Sequence, residues 1–315
     1  MCNLGLHSPL TTHYSPLTTH HSLLTTHQRS FFLILSINLP EEAMNLHIRK
    51  SLQRGHNEIV GATDTRLTFI ELGNLRLGDG EPYTQEPEAK EAALVILSGQ
   101  CTVKAGVETF EAIGARTDVF SGAPYTVYVP CDMAYEIVGV GDVEIALCKA
   151  PSDLKCPVRL ITPPEVKTKS VGRLNWRRDV RDIIDADVEA KHLVIGETLN
   201  PPGHWSSAPP HRHDFDRLPE EANMEEVYFF KLKPSGGFGI QRVYTDDRST
   251  DEAYGIEDND AVVIPEGYHP VVAGPGYRLY YLWILAGEHR ILCPRDDPAH
   301  AWLKNVEPIA EEIGL

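Results

Sequence analysis

Residue pairs 135 positions apart recur along the chain: Pro130 with Pro265, Gly139 with Gly274, Gly141 with Gly276 and Glu91 with Glu226. Each proline closes an apolar run (TVYVP, AVVIP), each glycine pair marks the next turn, and each glutamate stands beside an apolar stretch (AALVILSG, VYFFKL). One such coincidence is unremarkable, but four at a single offset describe a duplicated domain. Within each copy the periodic segments are short and rich in β-branched and aromatic residues: ALVILSGQCTV (93–103), YTVYVP (125–130), VEIALCKA (143–150), EVYFFKL (226–232), AVVIP (261–265) and YRLYYLWIL (277–285). Gly and Pro clusters punctuate them, so the expected fold is all-β, a sandwich or barrel in each copy. Only VRDIIDADVEAKHL (180–193) reads as partly helical.

The first 43 residues are foreign to this pattern. SPLTTHY, SPLTTHH and SLLTTHQ form a period-seven repeat without an apolar seam, and the run FFLILSINL is too short to cross a bilayer. Residues 1–43 are expected to be a low-complexity, disordered extension ahead of a natural start at Met44, and their five histidines at most weak metal binders. With 29 Lys+Arg against 45 Asp+Glu, the net charge of −16 disfavours nucleic acid and anionic membranes as partners. The six cysteines include no C-x-x-C pair, which argues against a disulfide scaffold or thiolate zinc ribbon and fits a reducing cytoplasm. Each is expected to be a small buried apolar residue.

The strongest chemical signal is PPHRHD (209–214), followed by EEVYFF (225–230) and PEGYHP (265–270). On a strand, His211 and His213 at i, i+2 share one face. Glu226 and His269 from neighbouring strands would complete a shell of three imidazoles and one carboxylate. Such a set suits a divalent metal of the zinc, manganese or iron type rather than calcium or magnesium. Glu225 is the rival of Glu226, and strand alternation admits only one of them. Glu220, Glu221 and Glu225 read as a solvated acidic face. Trp205 and Trp283 read as core residues.

The order H-x-H, Glu, P-x-G-x-H resembles the two motifs of the cupin superfamily, with an inserted loop DFDRLPEEANME before Glu226. GHWSSAPPHRHDFD, MEEVYFF, QRVYTDDR, IPEGYHPVVAGPGY and DDPAHAWL together resemble the 5-deoxy-glucuronate isomerase family of inositol catabolism, and more distantly the 4-deoxy-threo-hexosulose-uronate ketol-isomerases. The resemblance implies a bicupin, two double-stranded β-helix barrels of jelly-roll type, with the first copy at 44–175 and the second at 176–315. It implies His211, His213, Glu226 and His269 as ligands of a divalent metal, zinc foremost, with manganese or iron as alternatives. In the first copy His269 falls on Ala134, His211 and His213 fall on Arg76 and Gly78, and only Glu91 persists, so that copy is expected to hold no metal. The implied activity is aldose–ketose isomerisation of a sugar acid. Its carboxylate calls for a cation, Arg242 first and Arg178 second. Tyr244 and Tyr281 are candidate hydroxyl donors, and His204 lies close to the ligands in sequence. The competing readings are a cupin dioxygenase and a ligand-binding bicupin without turnover. A homo-oligomer is a further expectation.

Overall fold

The computed structural model describes residues 45–314, so the repeat tract and its five histidines lie outside the described residues. The expected all-β architecture is present. In the first copy an antiparallel sheet runs in the order Gly55–Val60, Glu71–Leu77, Tyr135–Pro151, Lys90–Ala105, Thr126–Val129, Arg159–Ile161. Pro82–Gln85 and Glu108–Ile113 pair with its two long strands and curl it on itself. The sheet of the second copy has seven strands and takes its two edge strands from the range 44–175 expected for the first, running His47–Ile48, Ala261–Ile264, Glu225–Lys233, Arg278–Ala286, Val194–Asn200, Arg178–Ile184, Lys167–Val171. A four-stranded sheet, Trp205–Ser206, Val271–Ala273, Gly239–Tyr244 and Asp251–Ile256, completes that copy.

Period-two alternation assigns the faces. Along Lys90–Ala105, Ala92, Leu94 and Ile96 enter an apolar cluster with Val127, Ile137 and Leu147, which fills the first barrel. Ala93, Val95 and Leu97 point the other way, into a larger cluster shared with Val227 and Phe229 of the second copy. Burial of these apolar faces drives the two copies together. A buried ion pair crosses the same junction: Arg116 of the first copy meets Glu197 of the second at 2.9 Å, and Arg181 reaches Glu197 at 2.7 Å.

Two local expectations are corrected. Residues 180–193 are not helical: Arg178–Ile184 is a strand, paired with Lys167–Val171 on one side and Val194–Asn200 on the other. Its Val180, Ile183 and Ile184 suit a pleated sheet better than a helix. The one α-helix among the described residues is Leu303–Glu312, near the C-terminus.

The second correction concerns the repeat. Glu91 does not correspond to Glu226. The Glu91 carboxylate accepts the backbone N–H groups of Lys191, His192 and Leu193 at 2.7–2.8 Å, just ahead of the strand Val194–Asn200. Glu225 does the same for Thr68, Phe69 and Ile70 at 2.6–2.7 Å, just ahead of Glu71–Leu77. Each carboxylate thus caps a strand entry of the other copy. The true partners on these strands are Glu91 with Glu225 and Ala92 with Glu226, since a slip of one residue turns a side chain to the opposite face. Likewise Arg76 lies on Glu71–Leu77, which pairs with Tyr135–Pro151 as Val194–Asn200 pairs with Arg278–Ala286, so its strand is not the counterpart of the histidine segment. Glu91→Ala is expected to lower unfolding free energy by roughly 3 kcal/mol or more, because three N–H groups lose their acceptor in a buried place. Denaturant titration would read this as an earlier midpoint, and an unchanged midpoint would mean that water replaces the carboxylate.

Candidate metal centre

His211 lies on the two-residue strand His211–Arg212, paired with Arg295–Asp296. The i, i+2 spacing sends His211 and His213 inward and Arg212 to the other side. There Arg212 is buried among Glu221 (3.3 Å), Asp246 and the rings of Phe215 and Tyr268. Glu221 also accepts the Asp214 N–H at 2.7 Å, and Asp214 accepts the Gly267 N–H at 2.8 Å. This chain of contacts ties the histidine segment to the turn that carries His269. Glu221 and Glu225 are therefore buried structural acceptors rather than part of a solvated face, and only Glu220 is exposed.

The turn before His269 requires glycine. Gly267 sits at φ +95°, and a Cβ there would stand 2.8 Å from the Tyr244 carbonyl oxygen. Gly267→Ala is expected to destabilise the fold by about 1–3 kcal/mol and to displace His269. Thermal unfolding and metal content would both fall; a variant matching the parent in both would show that the turn relaxes freely. Gln241, fully buried, donates to the His269 carbonyl at 2.7 Å and holds the far side of the same residue.

Inside the barrel the coordinating nitrogens of His211, His213 and His269 lie within 4.8 Å of one another. The Glu226 Oε2 is 3.2 Å from the His213 Nε2 and 3.1 Å from the His269 Nε2. The Nδ1 of His213 faces the Met224 carbonyl at 2.5 Å, and that of His269 faces the Gly267 carbonyl at 2.8 Å. A ring nitrogen against a carbonyl carries the proton, so in the neutral imidazoles both Nε2 atoms are bare acceptors. Both Nε2 atoms and the Glu226 Oε2 are buried without a hydrogen-bond partner. Three acceptors turned toward one another repel unless a positive charge sits between them.

Without a metal, a proton on a ring is the other source of that charge. Burial would raise the Glu226 carboxyl, but His213 and His269 hold it down to about 2. Burial would lower His213, yet the Glu226 carboxylate and the Met224 carbonyl outweigh it and raise that imidazole. His211 is driven well below the usual imidazole range, by burial first and then by His269 and His213. The three rings therefore do not all take protons, and the donor set fits a divalent cation bound through three nitrogens and one oxygen.

His211, His213 and Glu226 of this cluster line a pocket of about 260 Å³. Arg178, Tyr228, Tyr281 and Trp283 share its lining with these three donors. The profile of the KduI/IolB family matches residues 46–303. The chain belongs to the KduI/IolB family. Its curated relatives include the 5-deoxy-glucuronate isomerase of Geobacillus kaustophilus, 43% identical over 75% of this chain and 86% of that protein. The 5-deoxy-glucuronate isomerase of Bacillus subtilis strain 168 is 41% identical over 78% and 91%. Among solved structures, an IolB-like protein from Salmonella typhimurium superposes with a TM-score of 0.80 at 34% identity, covering 82% of this chain and 99% of the other. Oxalate decarboxylase from Lactobacillus farciminis, at 12% identity and TM-score 0.57 over 86% and 94%, shares the bicupin fold.

In this KduI/IolB chain the polar candidates divide sharply. Arg178 and Tyr281 line the same pocket as His211 and His213. Arg242, Tyr244 and His204 do not. Arg242 pairs with Asp251 at 2.7 Å and stacks on the Tyr244 ring, outside the barrel. The Tyr244 hydroxyl donates to Asp297 at 2.7 Å. The His204 Nδ1 contacts the Arg177 carbonyl at 2.8 Å. On Gly239–Tyr244, alternation sends Arg242 to the outer face while Gln241, beside it, points inward. Trp205 is 38% exposed and so is no core residue, whereas buried Trp283 forms part of the pocket wall. Gly196 makes that possible, since a Cβ there would stand 2.0 Å from the Trp283 ring. Tyr228, two residues beyond Glu226 on the same face, was legible from alternation alone.

Proposed function

We propose that this protein is a metal-dependent 5-deoxy-glucuronate isomerase, converting 5-deoxy-D-glucuronate to 5-dehydro-2-deoxy-D-gluconate. One observation carries the reading: a single pocket has a cluster of metal donors and, beside it, a guanidinium without a counter-ion. Arg178 donates only to the Trp176 and Ala208 carbonyls, at 3.2 and 3.4 Å, and has no ion pair among the described residues. Burial lowers its pKa, so an incoming carboxylate is the natural partner of its charge. A divalent cation bound by His211, His213, Glu226 and His269 would polarise the aldehyde and the neighbouring hydroxyl oxygen, acidifying the C–H between them.

The protein's own groups position the rest. The Tyr228 hydroxyl contacts the Ser207 Oγ at 3.2 Å, and Tyr281 donates to the Ser206 Oγ at 2.8 Å. Burial raises both phenols, so they stay protonated and line the site as neutral hydrogen-bonding groups rather than bases. Trp283, Leu285 and Leu292 line the pocket with apolar surface that limits competing water. The donor set favours zinc, with manganese or iron as the alternatives. The five described cysteines are free thiols, three of them buried, which supports a reducing compartment such as the cytoplasm. No helix among the described residues is long and apolar enough to cross a membrane.

The test is to incubate metal-replete protein with 5-deoxy-D-glucuronate and follow the aldehyde proton by NMR. Its loss, with growth of a ketone, is the expected result. No change at high protein concentration would end the reading. Conversion of the 4-deoxy hexosulose uronate alone would replace it with the sister activity, and oxygen uptake with a dioxygenase.

A further inference from the structure

Resting on the placement of the substrate carboxylate at Arg178, we infer that Val171 and Val180 select for a carbon without a hydroxyl next to that carboxylate. In 5-deoxy-glucuronate that carbon is a methylene; in glucuronate it carries a hydroxyl. The strands Lys167–Val171 and Arg178–Ile184 run antiparallel with Val171 directly opposite Arg178. Opposed residues point to the same face with their Cβ atoms about 5 Å apart. Val180 follows Arg178 by two residues and so shares that face. Both valines line the metal pocket, and both are half-buried.

The polar groups nearest the valines are already engaged. Lys169 stands opposite Val180, but its ammonium is held by Asp182 at 2.7 Å, one step farther from Arg178 along the sheet. Thr198, on the other flank of Val180, accepts the Trp283 indole N–H at 3.1 Å and turns its own hydroxyl to Tyr281. The Tyr281 hydroxyl is turned to Ser206. A carboxylate seated on Arg178 therefore has a guanidinium for its charge, while its neighbouring carbon meets valine methyl groups. A hydroxyl on that carbon would leave water for methyl groups and gain no partner, whereas a methylene packs there unhindered.

The test compares the metal-loaded parent with Val171→Thr and Val180→Thr. Threonine is close to valine in shape and favours strands, so both variants keep the sheet. Binding of 5-deoxy-D-glucuronate and of D-glucuronate is measured by calorimetry, alongside turnover and metal content. The parent is expected to prefer the deoxy acid by about 100-fold. Each threonine is expected to narrow that ratio about tenfold, chiefly by tightening glucuronate, with metal content unchanged. A parent that binds both acids equally, or that binds neither, overturns the inference, as does a ratio that neither variant moves. Turnover separates the two claims. Selective binding without conversion removes the isomerase reading and leaves the selectivity, whereas conversion with unmoved ratios removes the selectivity alone.

Discussion

His213→Ala is expected to bind no stoichiometric metal and to lose turnover by 10³-fold or more, on the order of 4 kcal/mol of lost transition-state stabilisation. The substitution removes one of three nitrogen donors and leaves Glu226 facing His269 alone. It also releases the Met224 carbonyl, which His213 now holds at 2.5 Å. His211→Ala provides the cleaner companion, because His211 is half-buried at the pocket side of the cluster and packs less deeply. Both variants should lose metal, measured by elemental analysis, while the metal-free parent and metal-free His211→Ala unfold at nearly the same temperature. Retention of one metal per chain and full activity in either variant would remove the centre described above.

Arg178→Gln should separate substrate anchoring from metal binding. A charged hydrogen-bonded partner for a carboxylate contributes roughly 1.5–3 kcal/mol, so kcat/KM is expected to fall about 10- to 150-fold, mostly through KM. Metal content should not change, because Arg178 is no ligand. An aldehyde of similar length without the carboxylate should be processed equally by parent and variant. If the variant matches the parent on the acid, the carboxylate is held elsewhere, and the exposed Lys169 at the same pocket becomes the next residue to replace. Arg242→Gln, by contrast, should leave kcat/KM near the parent value, because its guanidinium is paired with Asp251 outside the barrel.

The grouping of His211, His213 and His269 was readable from the sequence because strand alternation has a fixed period of two. H-x-H on a strand puts both imidazoles on one side, and the same rule admits Glu226 while it expels Glu225. Period alone does not set register between copies. The Glu91 pairing failed by one residue, and one residue is enough to exchange a barrel interior for a contact between copies. Arg242 was favoured over Arg178 for its place in a motif, yet proximity in sequence does not report which face of a strand a residue occupies. Arg178 reaches the pocket through a strand that the sequence presented as partly helical. The Arg212–Glu221–Asp214 chain was hidden for another reason. It joins an insertion to a turn some fifty residues away, and a run of acidic letters looks the same whether water or a guanidinium surrounds it.

The reciprocal clasp of Glu91 and Glu225 bears on how small this catalyst can be made. Arg178 and every metal donor proposed here belong to the second copy, which invites cutting the gene down to it. Such a fragment would leave the amides of Lys191, His192 and Leu193 without their acceptor and uncover the apolar face that Ala93, Val95 and Leu97 now shield. The half that lacks the three histidines is thus expected to serve as an internal chaperone, without which its twin does not fold.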